Sequence, residues 1–118
     1  MTPSSFRRRL LFWQKRMLLG DWKITVEFAP LEHNEKADCD AKPEYREAHL
    51  RFDATLIPDE EVDAFCVHEL MHIWTWPLEK AAENWAGEDE ALYESVRDTA
   101  EHVTTNLERA FLNAARKR

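Results

Sequence analysis

The feature that most constrains this chain is an apolar run, Phe65, Cys66, Val67, Leu70, Met71, Ile73 and Trp74, that encloses His68, Glu69 and His72. Residues four apart lie above one another on a helix, so a helix here stacks the two imidazoles on one face. The apolar positions on the remaining faces require that helix to be buried in a small core. Its start is marked by Pro58 and Asp59, with Glu60, Glu61 and Asp63 in the first turns, where negative charge suits the helix dipole. Pro77 has no amide hydrogen to donate, and the pattern predicts that the helix ends at Trp76.

The flanking segments supply what can cover it. Phe6, Leu10, Trp13 and Met17 recur at helical spacing behind Ser4 or Ser5 as a cap, with Gly20 placed to end the turn. The period then changes to two. Trp22, Ile24, Val26 and Phe28 alternate with polar residues up to Pro30, and Ala48, Leu50 and Phe52 alternate again from Tyr45 or Arg46, which predicts two half-buried strands separated by an irregular polar stretch over 31–44. Residues 78–86 have helical composition and Gly87 breaks the chain. Asp89 is a candidate N-cap for a last helix, whose expected buried stripe is Leu92, Val96, Ala100, Val103, Leu107 and Phe111. The expected fold is one α+β domain over 1–118: an N-terminal helix, a small sheet of two to four strands, the histidine helix and a closing C-terminal helix.

Two neutral imidazoles and one carboxylate suit zinc, because they leave a fourth position open for water. Glu69 is turned away from both imidazoles yet within reach of that water, as a general base requires. A third ligand must come from the last helix. Glu90 lies on the flank of the expected inward face, with seventeen residues between it and His72, whereas Glu94 points more nearly outward and would orient an imidazole as a carboxylate behind it.

His68-Glu69-Leu70-Met71-His72, followed by a Glu opening a later helix, resembles the gluzincin group of zinc metallopeptidases. Asp89-Glu90 and Glu94 are similar to that group's Asn-Glu-x-x-x-Asp arrangement, with both polar neighbours changed. The layout, with the Trp22–Val26 strand ahead of the histidine helix, also resembles small single-domain metallopeptidase-like proteins of phages and mobile elements. The resemblance implies zinc (Zn2+) at His68, His72 and Glu90, Glu69 as general base, and hydrolysis of a peptide or protein substrate. It also implies a Tyr or His to stabilise the oxyanion, for which Tyr45, His49, Tyr93 and His102 are candidates. A different class is a zincin-fold binding module, with or without metal, that performs no catalysis. Glu69 separates the two, since a structural zinc site has no use for it.

The totals exclude other partners. Net charge is −7, but residues 1–20 hold Arg7, Arg8, Arg9, Lys15 and Arg16 with no acid, leaving 11 bases against 23 acids in the rest. That body repels nucleic acid phosphates, and no apolar run is long enough for a membrane span. Cys39 and Cys66 are read as free thiols of an intracellular, cytoplasmic or phage-encoded protein. Trp74, Trp76 and Trp85 are expected to wall the core.

Overall fold

A computed structural model describes residues 1–116. Its first element, α1 (Pro3–Arg16), is capped by Thr2, whose side chain accepts the Ser5 amide at 3.2 Å, so the cap lies two residues before Ser4 and three before Ser5, the expected caps. Leu18, at φ 58°, takes the left-handed position after the helix that Gly20 was expected to provide. Phe6, Leu10, Trp13 and Met17 are all buried, as their spacing predicts.

Three strands follow: β1 (Lys23–Phe28), β2 (Ala37–Lys42) and β3 (Glu47–Phe52), in the order β1-β3-β2, with β1 parallel and β2 antiparallel to β3. The strand β2 lies in the stretch read as irregular. Its alternation is present but carried by small residues, with Ala37, Cys39 and Ala41 turned to the core against Asp38, Asp40 and Lys42. Without β-branched or aromatic residues the strand gives a weak signal, while its charged outer positions are what an edge strand uses to discourage further pairing. Phe6 of α1 joins the sheet to the helices, its ring 4.7 Å from Phe52 and 5.2 Å from Phe28.

After a single 3-10 turn at Asp59–Glu61 comes α2 (Val62–Ala86), which runs straight through Pro77 instead of stopping before it. An interior proline costs about 3 kcal/mol. Here α2 packs along its length against α3 (Glu90–Arg116), and that burial offsets the cost. Gly87, at φ +59°, ends α2, and Asp89 caps α3 by accepting the Leu92 amide at 3.0 Å. The two helices form an antiparallel hairpin with a three-residue turn. No helix among the described residues is long and apolar enough to cross a membrane.

The expected buried stripe of α3 is not what the fold buries. Only Thr104 and Leu112 are buried on this helix, while Val103 and Leu107 stay 44% and 41% exposed. At about 100° per residue, Glu101, Thr104, Glu108 and Leu112 centre about 120° round the helix from Val96, Val103 and Leu107. The helix therefore turns a mixed polar face towards α2 and leaves its apolar stripe on the flank. Trp74 is nearly half exposed, with its indole N–H donating to the Met17 carbonyl, and Trp85 is largely exposed, so neither walls the core as expected.

Asp63 ties the start of α2 to α1, accepting from the Arg9 guanidinium and from the Trp13 indole at 2.9 Å. Partial burial opposes its ionisation, but the bonds from Arg9 and Trp13 prevail and hold its pKa below the ordinary 3.8. A carboxyl with a depressed folded-state pKa stabilises the fold above its unfolded value and loses that contribution as pH falls through the folded value. Asp63→Ala should thus cost about 1–2 kcal/mol at neutral pH, in denaturant melts followed by circular dichroism. The gap to wild type should narrow below about pH 4, and a gap that held constant into acid would remove the ion pair as its cause.

Candidate functional site

On α2 the motif folds as a helix, with His72 and Glu69 buried and His68 partly so. The three residues offer ligand atoms within 4.8 Å of one another. Both imidazoles turn Nε2 towards one carboxylate of α3. His68 Nε2 lies 3.2 Å from Glu101 Oε2, and His72 Nε2 lies 3.0 Å from Glu101 Oε1. Behind them, His68 Nδ1 is 2.8 Å from Glu108 Oε1 and His72 Nδ1 is 3.9 Å from Glu79 Oε2. The His68 ring is thus oriented through Nδ1 by Glu108, an outer-shell contact of the kind metal-binding histidines make, whereas Glu79 stands near His72 Nδ1 without bonding it.

The residue brought to the histidines is Glu101 and not Glu90. Glu90 is the first residue of α3 and exposed, about 16 Å along the helix axis from Glu101 at roughly 1.5 Å per residue. Glu94, expected behind an imidazole, is exposed and about 10 Å short of Glu101 on the same scale; Glu108 occupies that role behind His68. Hairpin geometry accounts for the displacement. With α2 continuing to Ala86, His72 stands fourteen residues before the turn, and the antiparallel return brings up a residue a similar distance after it. A helix ending at Trp76 would have placed the turn ten residues earlier and favoured the start of the acidic run.

The charges explain one another. Burial alone disfavours a charged His68, but the bonds to Glu101 and Glu108 and the nearby Glu69 raise its pKa to about 9. Glu101 is held far below the usual carboxylate range by the two imidazoles. Glu69 is pushed up to about 7 by burial, partly offset by His72 and His68. It is 4% exposed, and its Oε2, like Glu79 Oε2, is buried without a hydrogen-bond partner. Leaving such an oxygen unsatisfied costs about 1–3 kcal/mol or more, which marks a group kept for something other than stability.

Glu69 and His72 line an open cleft of ≈360 Å³, together with Trp76, Glu101, and Asp38 and Cys39 of β2. None of the oxyanion candidates borders it. Tyr45 is exposed at the far end of the sheet, His49 bonds Thr25 and Glu27 on the outer sheet face, His102 pairs with Asn106, and Tyr93 lies near the start of α3. The cations that line the cleft are Lys80 and Arg97, and Lys80 is engaged by Glu83 at 2.9 Å and by the Trp76 ring. Cys39 and Cys66 are free, with thiol pKa values raised by burial, and neither belongs to the histidine cluster.

Two imidazoles that converge with carboxylates, Glu69 within 4.8 Å and Glu101 in direct contact, are a donor set of the chemistry that zinc takes. Compared with protein families, curated proteins and solved structures, the chain matches none.

Proposed function

We propose that this protein is a zinc-dependent hydrolase of peptide bonds, with His68, His72 and Glu101 as the metal ligands and Glu69 as the general base. The observation that carries the reading is the buried, unpaired Oε2 of Glu69, a residue that lines a cleft beside the two imidazoles. A purely structural metal site gains nothing from an orphaned carboxylate. Zinc, when bound, supplies Lewis-acid chemistry, acidifying water and polarising a carbonyl.

The chain's own residues do the rest. Glu108 holds the His68 imidazole with Nε2 facing inward. Glu69 takes the proton of the attacking water at Oε2 and passes it to the nitrogen of the leaving amine, so the carboxylate is regenerated in each turnover. Arg97, the cleft cation not engaged by Glu83, supplies positive charge on the same cleft for the carbonyl oxygen that becomes negative. Asp38 and Cys39 of β2 border the same cleft as Glu69 and would flank a bound peptide.

The test uses protein loaded with zinc, incubated with a mixed peptide library and an unstructured protein and read by mass spectrometry. Cleavage that a chelator abolishes and added zinc restores is the expected result. No cleavage by a chain shown to carry zinc would move the function to the binding module.

A further inference from the structure

We infer that the α2–α3 hairpin is a self-association surface, on which a second copy of this chain packs across a two-fold axis to form a four-helix bundle. The inference is independent of the peptidase reading. It starts from the stripe that α3 fails to bury. Val96, Val103 and Leu107 repeat at helical spacing on a 27-residue helix, yet the turn that brings Glu101 and Glu108 to the histidines leaves them on the flank. Along α2, Trp74, Leu78 and Trp85 lie on one face at i, i+4 and i+11, and they are 46%, 76% and 76% exposed.

Between the two stripes runs a groove floored mainly by Thr75, Ala82, Ser95, Thr99 and Ala100, whose one charged lining residue, Glu79, is largely buried and turned towards His72. Small residues flanked by projecting large ones make a surface that can receive a copy of itself, ridge into groove. The exposed parts of Trp74, Leu78, Trp85, Val103 and Leu107 amount to an apolar area on the order of 500 Å², near the upper end of what a monomer leaves uncovered. A stable interface buries about 800 Å² per partner, and the exposed Ser95, Thr99, His102 and Asn106 beside the stripe add to the apolar area.

Charge decides in favour of a second copy. One third of this chain is charged, yet Leu92, Ser95, Val96, Thr99, Ala100, His102, Val103, Asn106 and Leu107 include no Asp, Glu, Lys or Arg, and neither do Trp74, Thr75, Leu78, Ala81, Ala82 and Trp85. Depletion of charge across an apolar band is the compositional mark of an interface core. An uncharged band offers nothing by which to select a partner of opposite charge. Two copies of a chain of net charge −7 meet little repulsion across such a band. Two hairpins packed in this way give four helices around one apolar core.

Sedimentation velocity over a micromolar concentration series tests the inference. Wild type should show a species of twice the 14.0 kDa chain mass. Leu78→Glu and Val103→Glu each place a charge twice in the two-fold interface, and each should raise the dimer Kd at least about 30-fold. Both positions are exposed in the single chain, so far-UV circular dichroism and the melting temperature of the dissociated form should hold. Leu11→Glu, on the outer face of α1, should dimerise as wild type does. A wild type that stays monomeric throughout the series overturns the inference, as does dissociation by Leu11→Glu with no effect of the other two. A monomer whose hairpin binds lipid vesicles instead would assign the band to a membrane surface and overturn it equally.

Discussion

Glu69→Gln should abolish most of the hydrolytic activity while leaving zinc content and folding nearly unchanged. Glutamine keeps the size of the side chain and an oxygen to accept a hydrogen bond, but it cannot take up the proton of the attacking water. General-base assistance is typically worth about 10²–10⁴ in rate, and the loss should fall on kcat more than on KM because the substrate still binds the cleft. Stability offers a second, opposite signature. Glu69 is buried with one oxygen unpaired, so replacing it with a neutral amide relieves part of that cost, and the metal-free variant should melt at or above the metal-free wild type. Equal rates for the two forms would remove Glu69 from the chemistry, whatever its effect on stability.

The second large effect concerns the ligands. Glu101→Ala should weaken zinc binding by more than about 100-fold, since loss of a ligand exceeds the 10–100-fold typical of an orienting partner. Glu108→Ala should fall in that lower range, because it removes the carboxylate that orients His68 without touching the ion's own donor set. Glu90→Ala should leave the affinity unchanged. The ranking can be read from competition with a chromogenic chelator. An effect of Glu90→Ala as large as that of Glu101→Ala would mean that the hairpin pairs in a different register.

The histidine pair, its helix, Gly87 as terminator and Asp89 as cap are legible in the sequence because each rests on a local rule that needs no knowledge of the partner helix. The third carboxylate is not, for two physical reasons. Pro77 reads as a stop, and a helix that tolerates it shifts every later cross-helix pairing by the length of the added turns. The apolar stripe of α3 reads as the inward face, whereas the fold turns Glu101 and Glu108 inward and leaves that stripe for another surface. A signal for the true face does exist in Glu101, Thr104, Glu108 and Leu112, spaced i, i+3, i+7 and i+11, but hydrophobicity alone ranks it below its neighbour. The strand β2 was hidden by small side chains in the same way.

If His68, His72 and Glu101 together hold a metal ion, the ion will be found in protein equilibrated with zinc and then dialysed, with zinc content measured by elemental mass spectrometry for wild type and His72→Ala. One equivalent of zinc per chain in wild type, with little in the variant, is the predicted result. Absence of zinc from wild type, or equal amounts in both proteins, would contradict it.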